Sequence, residues 1–265
     1  MKKITNVTIG ADPELFLINK ETNEVVSSIG IIPGVKGNPY RSKSMPEGYG
    51  LEIDNILAEF NIPPAGDIVG FVHSIEYMKN FIRKYIKRKN KDLDIFHAAS
   101  MLVPEDQLQS EEAKLFGCSV DYNAYTESAN PKPKGETTNL RSAGFHIHIG
   151  YANNNIDTSV ALIKYLDVFL GLPSVMIDPD TERRKLYGKA GAFRLTPYGV
   201  EYRVLSGYFI KDTVLTSWVY ERVTDAIKAY NYDIALPDPD LVQDIINNSK
   251  KEEAEKLYTK YYNKI

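Results

Sequence analysis

The sequence has almost no cysteine. Cys118 is the one cysteine among 265 residues, and a lone cysteine cannot form a disulfide within the chain. A reducing compartment is therefore the expectation. Residues 1–6 have the basic start of a secretory signal, but no apolar run follows them. Because no stretch approaches the roughly 18 apolar residues of a spanning helix, the sequence predicts a soluble, cytoplasmic protein.

The sequence also lacks a strong excess of charge and the common phosphate-binding glycine motifs. The formal net charge is −3, so nothing favours nucleic acid or an anionic membrane as a partner. Neither Gly-x-x-x-x-Gly-Lys-Ser/Thr nor Gly-x-Gly-x-x-Gly occurs. Hydrophobic residues make up 43% of the chain, which is ordinary for a globular protein with a packed core.

The order of the predicted elements favours an α+β fold. We expect a largely antiparallel sheet with helices on one face and an open catalytic face. One main domain is predicted over residues 1–235, followed by a helical extension over 236–265. The predicted strands cover residues 4–18 (broken near Pro13), 24–32, 51–62, 94–103, 145–151 and a hairpin at 192–205. The predicted helices follow caps at Asp67, Asp157 (ending at Gly171) and Asp212, with two short helices in 238–263.

Three predicted strands each carry two polar side chains at alternate positions, opposite an apolar face. Alternate residues of a strand share a face and lie about 6.6 Å apart along it. Any half-exposed strand alternates polar and apolar residues, but three such pairs indicate a common site if the strands share one sheet. The pairs are Asp12 with Glu14, His146 with His148, and Glu201 with Arg203.

A fourth acidic segment follows a glycine-rich loop. If residues 51–62 form a single strand, Asn55, Glu59 and Asn61 lie on one face. Glu52 and Asp54 then lie on the other face, unless a bulge re-aims them. One of these two acids is expected to join Glu59 at a metal, and Asp54 is favoured because it is closer. Carboxylate-rich ligation with an imidazole suits Mg²⁺ or Mn²⁺ rather than structural zinc.

A basic cluster precedes the hairpin at 192–205. Arginine supplies a bidentate fork and lysine a point charge, so the cluster is suited to phosphate binding; a solvated loop is the alternative. Its members are Arg183, Arg184, Lys185, Lys189 and Arg194, with Gly188 and Gly191 between them.

In combination and order, these motifs resemble a known family. The matching segments are Gly10-Ala-Asp-Pro-Glu-Leu-Phe16, Asp54-Asn55, Glu59-Phe-Asn-Ile-Pro-Pro-Ala65, Ala143-Gly-Phe-His-Ile-His-Ile-Gly150 and Glu201-Tyr-Arg203. They are similar to the phage-type carboxylate–amine ligases, or amidoligases of type 2, which are related to glutamine synthetase and glutamate–cysteine ligase. The resemblance covers roughly residues 7–210.

The resemblance implies a glutamine-synthetase-like sheet, ATP with Mg²⁺ or Mn²⁺, and amide formation through an acyl-phosphate. The substrates would be a carboxylate and an amine, each a small molecule or a peptide. Metal ligands would be Asp12, Glu14, Glu52 or Asp54, Glu59, His146 and Glu201. Nucleotide phosphates would be held by Arg184, Lys189, Arg194, Arg203 and His148, of which Arg194, Arg203 and His148 would act at the transferring phosphoryl group. Substrate would be bound by Lys36, Asn61 and Arg141.

Two other functions stay open from the residues. One is a guanidino-kinase-like phosphotransferase, which stops after phosphoryl transfer. The other is a catalytically silent protein that binds a nucleotide or a metal. Segments 33–50 and 129–140, rich in glycine and proline, have the composition of mobile covers. Cys118 is expected to be a small buried residue rather than a nucleophile.

Overall fold

The protein is described here by a computed structural model covering residues 3–114, 120–131 and 138–264. Cys118 lies outside the described residues. The strands, in chain order, are β1 (Thr8–Asn19), β2 (Val25–Val26), β3 (Gly50–Asp54), β4 (Leu57–Ala65), β5 (Leu93–Phe96), β6 (Ser100–Leu102), β7 (Tyr122–Asn123), β8 (Ser128–Ala129), β9 (Leu140–Ser142), β10 (Phe145–Gly150), β11 (Ala192–Thr196) and β12 (Gly199–Tyr202). The helices are α1 (Ile68–Lys89), α2 (Glu111–Lys114), α3 (Ile156–Leu166), α4 (Leu172–Ile177), α5 (Arg183–Leu186), α6 (Thr213–Asn231), α7 (Pro239–Asn247) and α8 (Lys251–Tyr262).

The predicted α+β class is confirmed by one large antiparallel sheet. Its strands follow the order β3-β4-β1-β10-β12-β11-β7-β8, and β2 and β5 pair with the second half of β1. The first half of β1 lies between β4 and β10, with Asp12 opposite His146 and Glu14 opposite Glu59. The strands that carry the polar pairs are therefore neighbours. The relation of this sheet to glutamine synthetase stays a prediction.

Helices cover one face of the sheet. Asp67 and Asp212 cap α1 and α6 as predicted, because each carboxylate accepts a backbone amide of the first turn. The cap predicted at Asp157 is wrong. Asn155 caps α3, and its side chain accepts the amide of Thr158. The helix also does not end at Gly171, because a π-helical turn over Asp167–Gly171 joins it to α4.

The joined helix from Ile156 to Ile177 is long and apolar enough to cross a membrane by length and composition. The sequence-based statement that no such run exists was therefore wrong. In the structure, 72% of the most apolar 18-residue stretch of this helix is buried. The core-facing position of this helix accounts for its apolar composition.

The predicted strand over residues 51–62 is wrong, because the segment is a hairpin. A two-residue turn separates β3 from β4, and Asn55 adopts a left-handed backbone conformation there, with φ of 57°. Glu52 consequently pairs with Glu59 across the two strands. All the acids of this segment share one face, whereas the single strand placed Glu52 and Asp54 on the opposite one.

Other strand boundaries also differ from the prediction. Pro13 does not break β1, since it lies inside the continuous strand opposite Phe145. Only Val25–Val26 is a strand within 24–32, and residues 94–103 divide into β5 and β6. The hairpin turning after Pro197 is confirmed by β11 and β12.

The face opposite the helices is not open. A small second core covers one end of it, built from buried residues that include Phe16, Leu57, Val103 and Ala143. Residues 34–40 cross beside β3, where Tyr40 pairs with Leu51. The carboxylates on this face are therefore buried, each at most 9% exposed.

Candidate active site

Five carboxylates and two histidines converge on the covered face of the sheet. They form three overlapping sets, and within each set one ligand atom of every residue lies within 4.8 Å of the others. Asp12 belongs to two of the sets and Glu59 to two, so the sets follow one another in a row. This row, called the acidic row below, comprises Asp12 with His148 and Glu201, Asp12 with Glu59 and His146, and Glu14 with Asp54 and Glu59.

Asp12 lies between the two histidines of β10. Its Oδ1 atom is 3.0 Å from His148 Nε2 and 3.5 Å from His146 Nδ1. Burial raises the pKa of Asp12, but the charge of His148 and the contacts with both histidines outweigh it, so the pKa lies below its usual range. The pKa of His148 is raised, because Asp12 outweighs the opposing effect of burial. The far nitrogen of His148, Nδ1, lies 2.5 Å from the Tyr198 hydroxyl.

Glu14 and Glu59 occupy the most crowded part of the acidic row. Glu14 accepts the amide of Gly144 at 2.7 Å. Burial raises the pKa of Glu14. The pKa of Glu59 lies well above its usual range, because burial is reinforced by the charges of four neighbouring carboxylates. Burial and repulsion among these carboxylates both oppose a negative charge at Glu59.

The loop before β3 contacts both of its acids. Lys36 Nζ lies 2.5 Å from Asp54 Oδ2, and the amide of Gly37 donates to Glu52 Oε2 at 3.0 Å. Asp54 and not Glu52 belongs to a set of the acidic row. We name residues 34–40 the strap, since they lie over the β3 end of the row.

Two arginines flank Glu201. Arg194 Nη1 lies 3.2 Å from Glu201 Oε2, and Arg203 Nη1 donates to Glu201 Oε1. The guanidinium of Arg203 also contacts His146 Nδ1 at 3.3 Å and Asp121 Oδ2 at 3.5 Å. Carboxylates on either side thus fix Arg203 next to the acidic row.

Of three further basic residues proposed from the sequence, Arg141 lines a cavity beside the acidic row, whereas Arg184 and Lys189 lie in other surroundings. Arg184 Nη2 donates to Ser174 Oγ at 3.1 Å, and its charged neighbours are Asp178 and Asp180, so it is not brought to the acidic row. Arg141 donates to the backbone carbonyls of Ala113, Thr138 and Leu140. Lys189 is half-buried in the turn before β11, where its carbonyl accepts the amide of Ala192.

Two cavities adjoin the acidic row. The larger, of about 520 Å³, is lined by small and polar residues that include Gly10, Arg41, Asn61, His148 and Tyr198. The smaller cavity, of about 30 Å³, is lined by both acidic and basic side chains. Its acidic, basic and imidazole lining residues are Glu14, Asp54, Asp121, Arg141, His146, Arg183 and Arg203.

Four further residues contribute to this region, and none of them was assigned a role in the site from the sequence. Tyr198 contacts His148 and Asp121 contacts Arg203, each from a loop. Arg183 lines the small cavity in the place expected for its neighbour Arg184. Gly144 contributes a backbone amide, and the space above it is taken by His146 Nε2, only 2.5 Å from where a Cβ would stand.

Residues 136–233 are similar to a known protein family. This region matches the family described as phage phiEco32-like COOH.NH2 ligase-type 2. A comparison with curated proteins gave no match. The match supports the family predicted from the sequence, and it covers a region that carries both histidines of β10 together with Arg194, Glu201 and Arg203.

Proposed function

We propose, on the premise that residues 136–233 belong to this ligase family, that the protein is an ATP- and Mg²⁺-dependent carboxylate–amine ligase. It would form an amide, or a peptide-like bond, through an acyl-phosphate intermediate. The proposal is carried by one observation, the acidic row with two arginines at its end. The family description supplies the reaction class, and the row supports the part played by metal and nucleotide.

The acidic row fits hard divalent cations. Its donors are carboxylates with one imidazole in each of two sets, a composition that suits Mg²⁺ or Mn²⁺. Asp54 Oδ1 is a buried oxygen without a hydrogen-bond donor among the described residues, and Asp12 Oδ1 has the imidazoles of His146 and His148 as its polar neighbours. A cation in each set of the row, with its ligands drawn from Asp12, Glu14, Asp54, Glu59, His146, His148 and Glu201, would contact both oxygens. It would supply charge neutralisation for phosphate oxygens.

ATP fits the larger cavity best. A volume of about 520 Å³ lies in the range of small-ligand sites. Gly10 lies on the wall of this cavity and has no side chain to occupy it. His148 lies where this cavity meets the acidic row, so a nucleotide there would direct its phosphates toward Arg194 and Arg203.

The residues of the chain would then act by position and charge. A carboxylate is a poor acylating agent, because oxide does not leave, whereas phosphate leaves an acyl-phosphate readily when an amine attacks. Arg203, fixed by Glu201 and Asp121, would stabilise charge on the transferring phosphoryl group. Lys36 on the strap would meet the substrate carboxylate near Asp54, and the buried face would exclude water from the acyl-phosphate.

The reaction type is tested with hydroxylamine as a surrogate amine. Candidate amino acids and peptides are incubated with ATP, Mg²⁺ and hydroxylamine, and hydroxamate and ADP are measured. A ligase produces hydroxamate, ADP and free phosphate with the right acid. A guanidino-kinase-like enzyme instead gives ADP and a phosphorylated substrate, and a silent binding protein gives no product. Either of these two results, from a broad screen, would overturn the proposed function.

Arg194→Ala provides a matched comparison with Arg83→Ala. Both arginines are about one-third exposed and contact a carboxylate at 3.2 Å, but Arg83 pairs with Asp94 away from the acidic row. Arg194→Ala should lower the hydroxamate rate by about a hundredfold or more. Arg83→Ala should leave it nearly unchanged, so an equal loss in both variants would contradict the phosphate-binding role.

A further inference from the structure

A buried carboxylate lies behind the sheet, on the side away from the acidic row. Asp167 is completely buried in the helical layer, in the π-helical turn that joins α3 to α4. It accepts the hydroxyl of Tyr202 at 2.8 Å and the amide of Gly191 at 2.6 Å, and it is also hydrogen-bonded to the Tyr125 side chain. Burial raises its pKa to about 7. Burying an ionisable group costs folding free energy unless its oxygens are hydrogen-bonded, as those of Asp167 are.

Each partner of Asp167 belongs to a segment that carries a site residue. Tyr202 lies between Glu201 and Arg203 in sequence, and its side chain points to the opposite face. Gly191 directly precedes β11, which carries Arg194. Tyr125 follows β7, next to Asp121, the second carboxylate on Arg203. One carboxylate therefore connects the three segments that build the arginine end of the acidic row.

The local backbone is shaped to allow this connection. A Cβ on Gly171 would stand 2.7 Å from the Tyr202 hydroxyl and 3.3 Å from Asp167 Oδ1. Gly191 has φ of 76°, a left-handed conformation that glycine adopts without strain. π-helical turns inside helices often occur at functional sites. Here the turn brings the Asp167 carboxylate close to the back of β11 and β12.

We infer that Asp167 is a positioning residue for the ligase site and sets the places of Glu201, Arg203 and Arg194 from behind the sheet. This inference rests on the proposed function, because it concerns how well the acidic row and its arginines hold a metal-bound nucleotide. Tyr202 transmits the position through the backbone of β12. Partners that orient metal ligands from outside the coordination sphere commonly affect metal affinity about tenfold or more.

The test compares two tyrosine variants that each lose one buried hydroxyl contact. Tyr202→Phe removes the hydrogen bond to Asp167. Tyr165→Phe is the control, since Tyr165 lies on the same helix but its hydroxyl donates to the Ile234 carbonyl at 2.9 Å and not to Asp167. Binding of Mn²⁺·ATP is measured by the electron paramagnetic resonance signal of free and bound Mn²⁺, well below the thermal transitions of all proteins. Asp167→Asn is examined alongside as an isosteric change.

Tyr202→Phe and Asp167→Asn should each weaken Mn²⁺·ATP binding about tenfold and alter the spectrum of bound Mn²⁺. Tyr165→Phe should bind like the wild type even if its melting temperature falls equally. A purely structural role would lower thermal stability in Tyr202→Phe but leave affinity and spectrum unchanged, and that result would overturn the inference alone. No binding by the wild type would instead overturn the proposed function, and with it the link from Asp167 to the site.

Discussion

At the scale of single residues, the acidic row shows a conflict between stability and function. Glu59 is buried beside four other carboxylates, and its pKa is raised well above the usual value. A residue chosen for folding alone would not be a carboxylate in this place. The cost is understandable if a divalent cation neutralises the row when the protein works.

Glu59→Gln should therefore stabilise the metal-free protein. Because the pKa of Glu59 is higher in the folded than in the unfolded state, the folded state binds more protons above the usual pKa, and stability falls as pH rises. Glutamine does not titrate, so the variant does not lose stability in this way. Its free energy of unfolding should exceed that of the wild type by a margin that grows from pH 5 to pH 8 and reaches on the order of 1 kcal/mol. Urea unfolding in EDTA at both pH values measures it.

The exposed Glu24 supplies the control, as Glu24→Gln changes the same charge outside the site. It should show no comparable gain with pH. In the presence of Mn²⁺ the order should reverse, since Glu59→Gln loses a ligand shared by two sets of the acidic row. A Glu59→Gln variant that is less stable than the wild type in EDTA at pH 8 would contradict the assignment.

The residue pairs of the site were largely predictable, whereas some of their surroundings were not. Alternation along β1, β10 and β12 is a local property, so the shared face of Asp12 with Glu14 followed from the sequence. Asp121 and Tyr198 reach the site from loops, and only tertiary contact selects them. Arg184 and Arg183 are adjacent in sequence, and the orientation of a four-residue helix decides which one faces the cavity.

At the scale of elements, the strap and the β3–β4 hairpin decide how the acids are presented. The hairpin was missed because no glycine or proline marks its turn, and Asn55 takes the left-handed conformation that asparagine tolerates. The strap then brings a lysine to Asp54 at 2.5 Å. In the metal-free protein this ammonium group occupies one side of a carboxylate that a cation would also use.

Lys36→Met should strengthen the binding of Mn²⁺ alone. Methionine keeps much of the apolar stem but removes the charge that competes for Asp54. A partly exposed ion pair is worth up to roughly 1 kcal/mol, so an affinity gain of about fivefold is expected by calorimetry without nucleotide. Lys250→Met removes a comparable lysine from Asp244 far from the site and should change nothing. Weaker Mn²⁺ binding in Lys36→Met would show that Lys36 supports the metal instead.

At the scale of the whole molecule, the C-terminal helices are part of the main core. Val242, Ile245 and Ile246 of α7 are buried in the same cluster as the sheet. Asn247 accepts the amide of Ala190 at 2.8 Å, beside the segment that contacts Asp167. The helices themselves were predictable from their periodicity, but their attachment to the loop before β11 was not, because it depends on contacts across a long stretch of chain.

A chain ending at residue 235 should consequently lose cooperative thermal unfolding or melt far below the wild type. The graded variant Ile246→Ala should cost about 2–5 kcal/mol, as expected for a fully buried isoleucine. Removal of residues 263–265 alone should leave the melting temperature unchanged. If the chain ending at 235 melts like the full chain, the helices are an appendage and not part of the core.

We propose that the acidic row holds a divalent cation that in turn holds ATP. This is tested by isothermal titration calorimetry of ATP binding, carried out once in Mg²⁺ and once in EDTA. A folded Glu14→Gln, Glu201→Gln double variant serves for comparison. The wild type should bind ATP in Mg²⁺ but not in EDTA, and the double variant should lose this metal-dependent binding. Equal binding with and without the metal, or undiminished binding by the double variant, would contradict it.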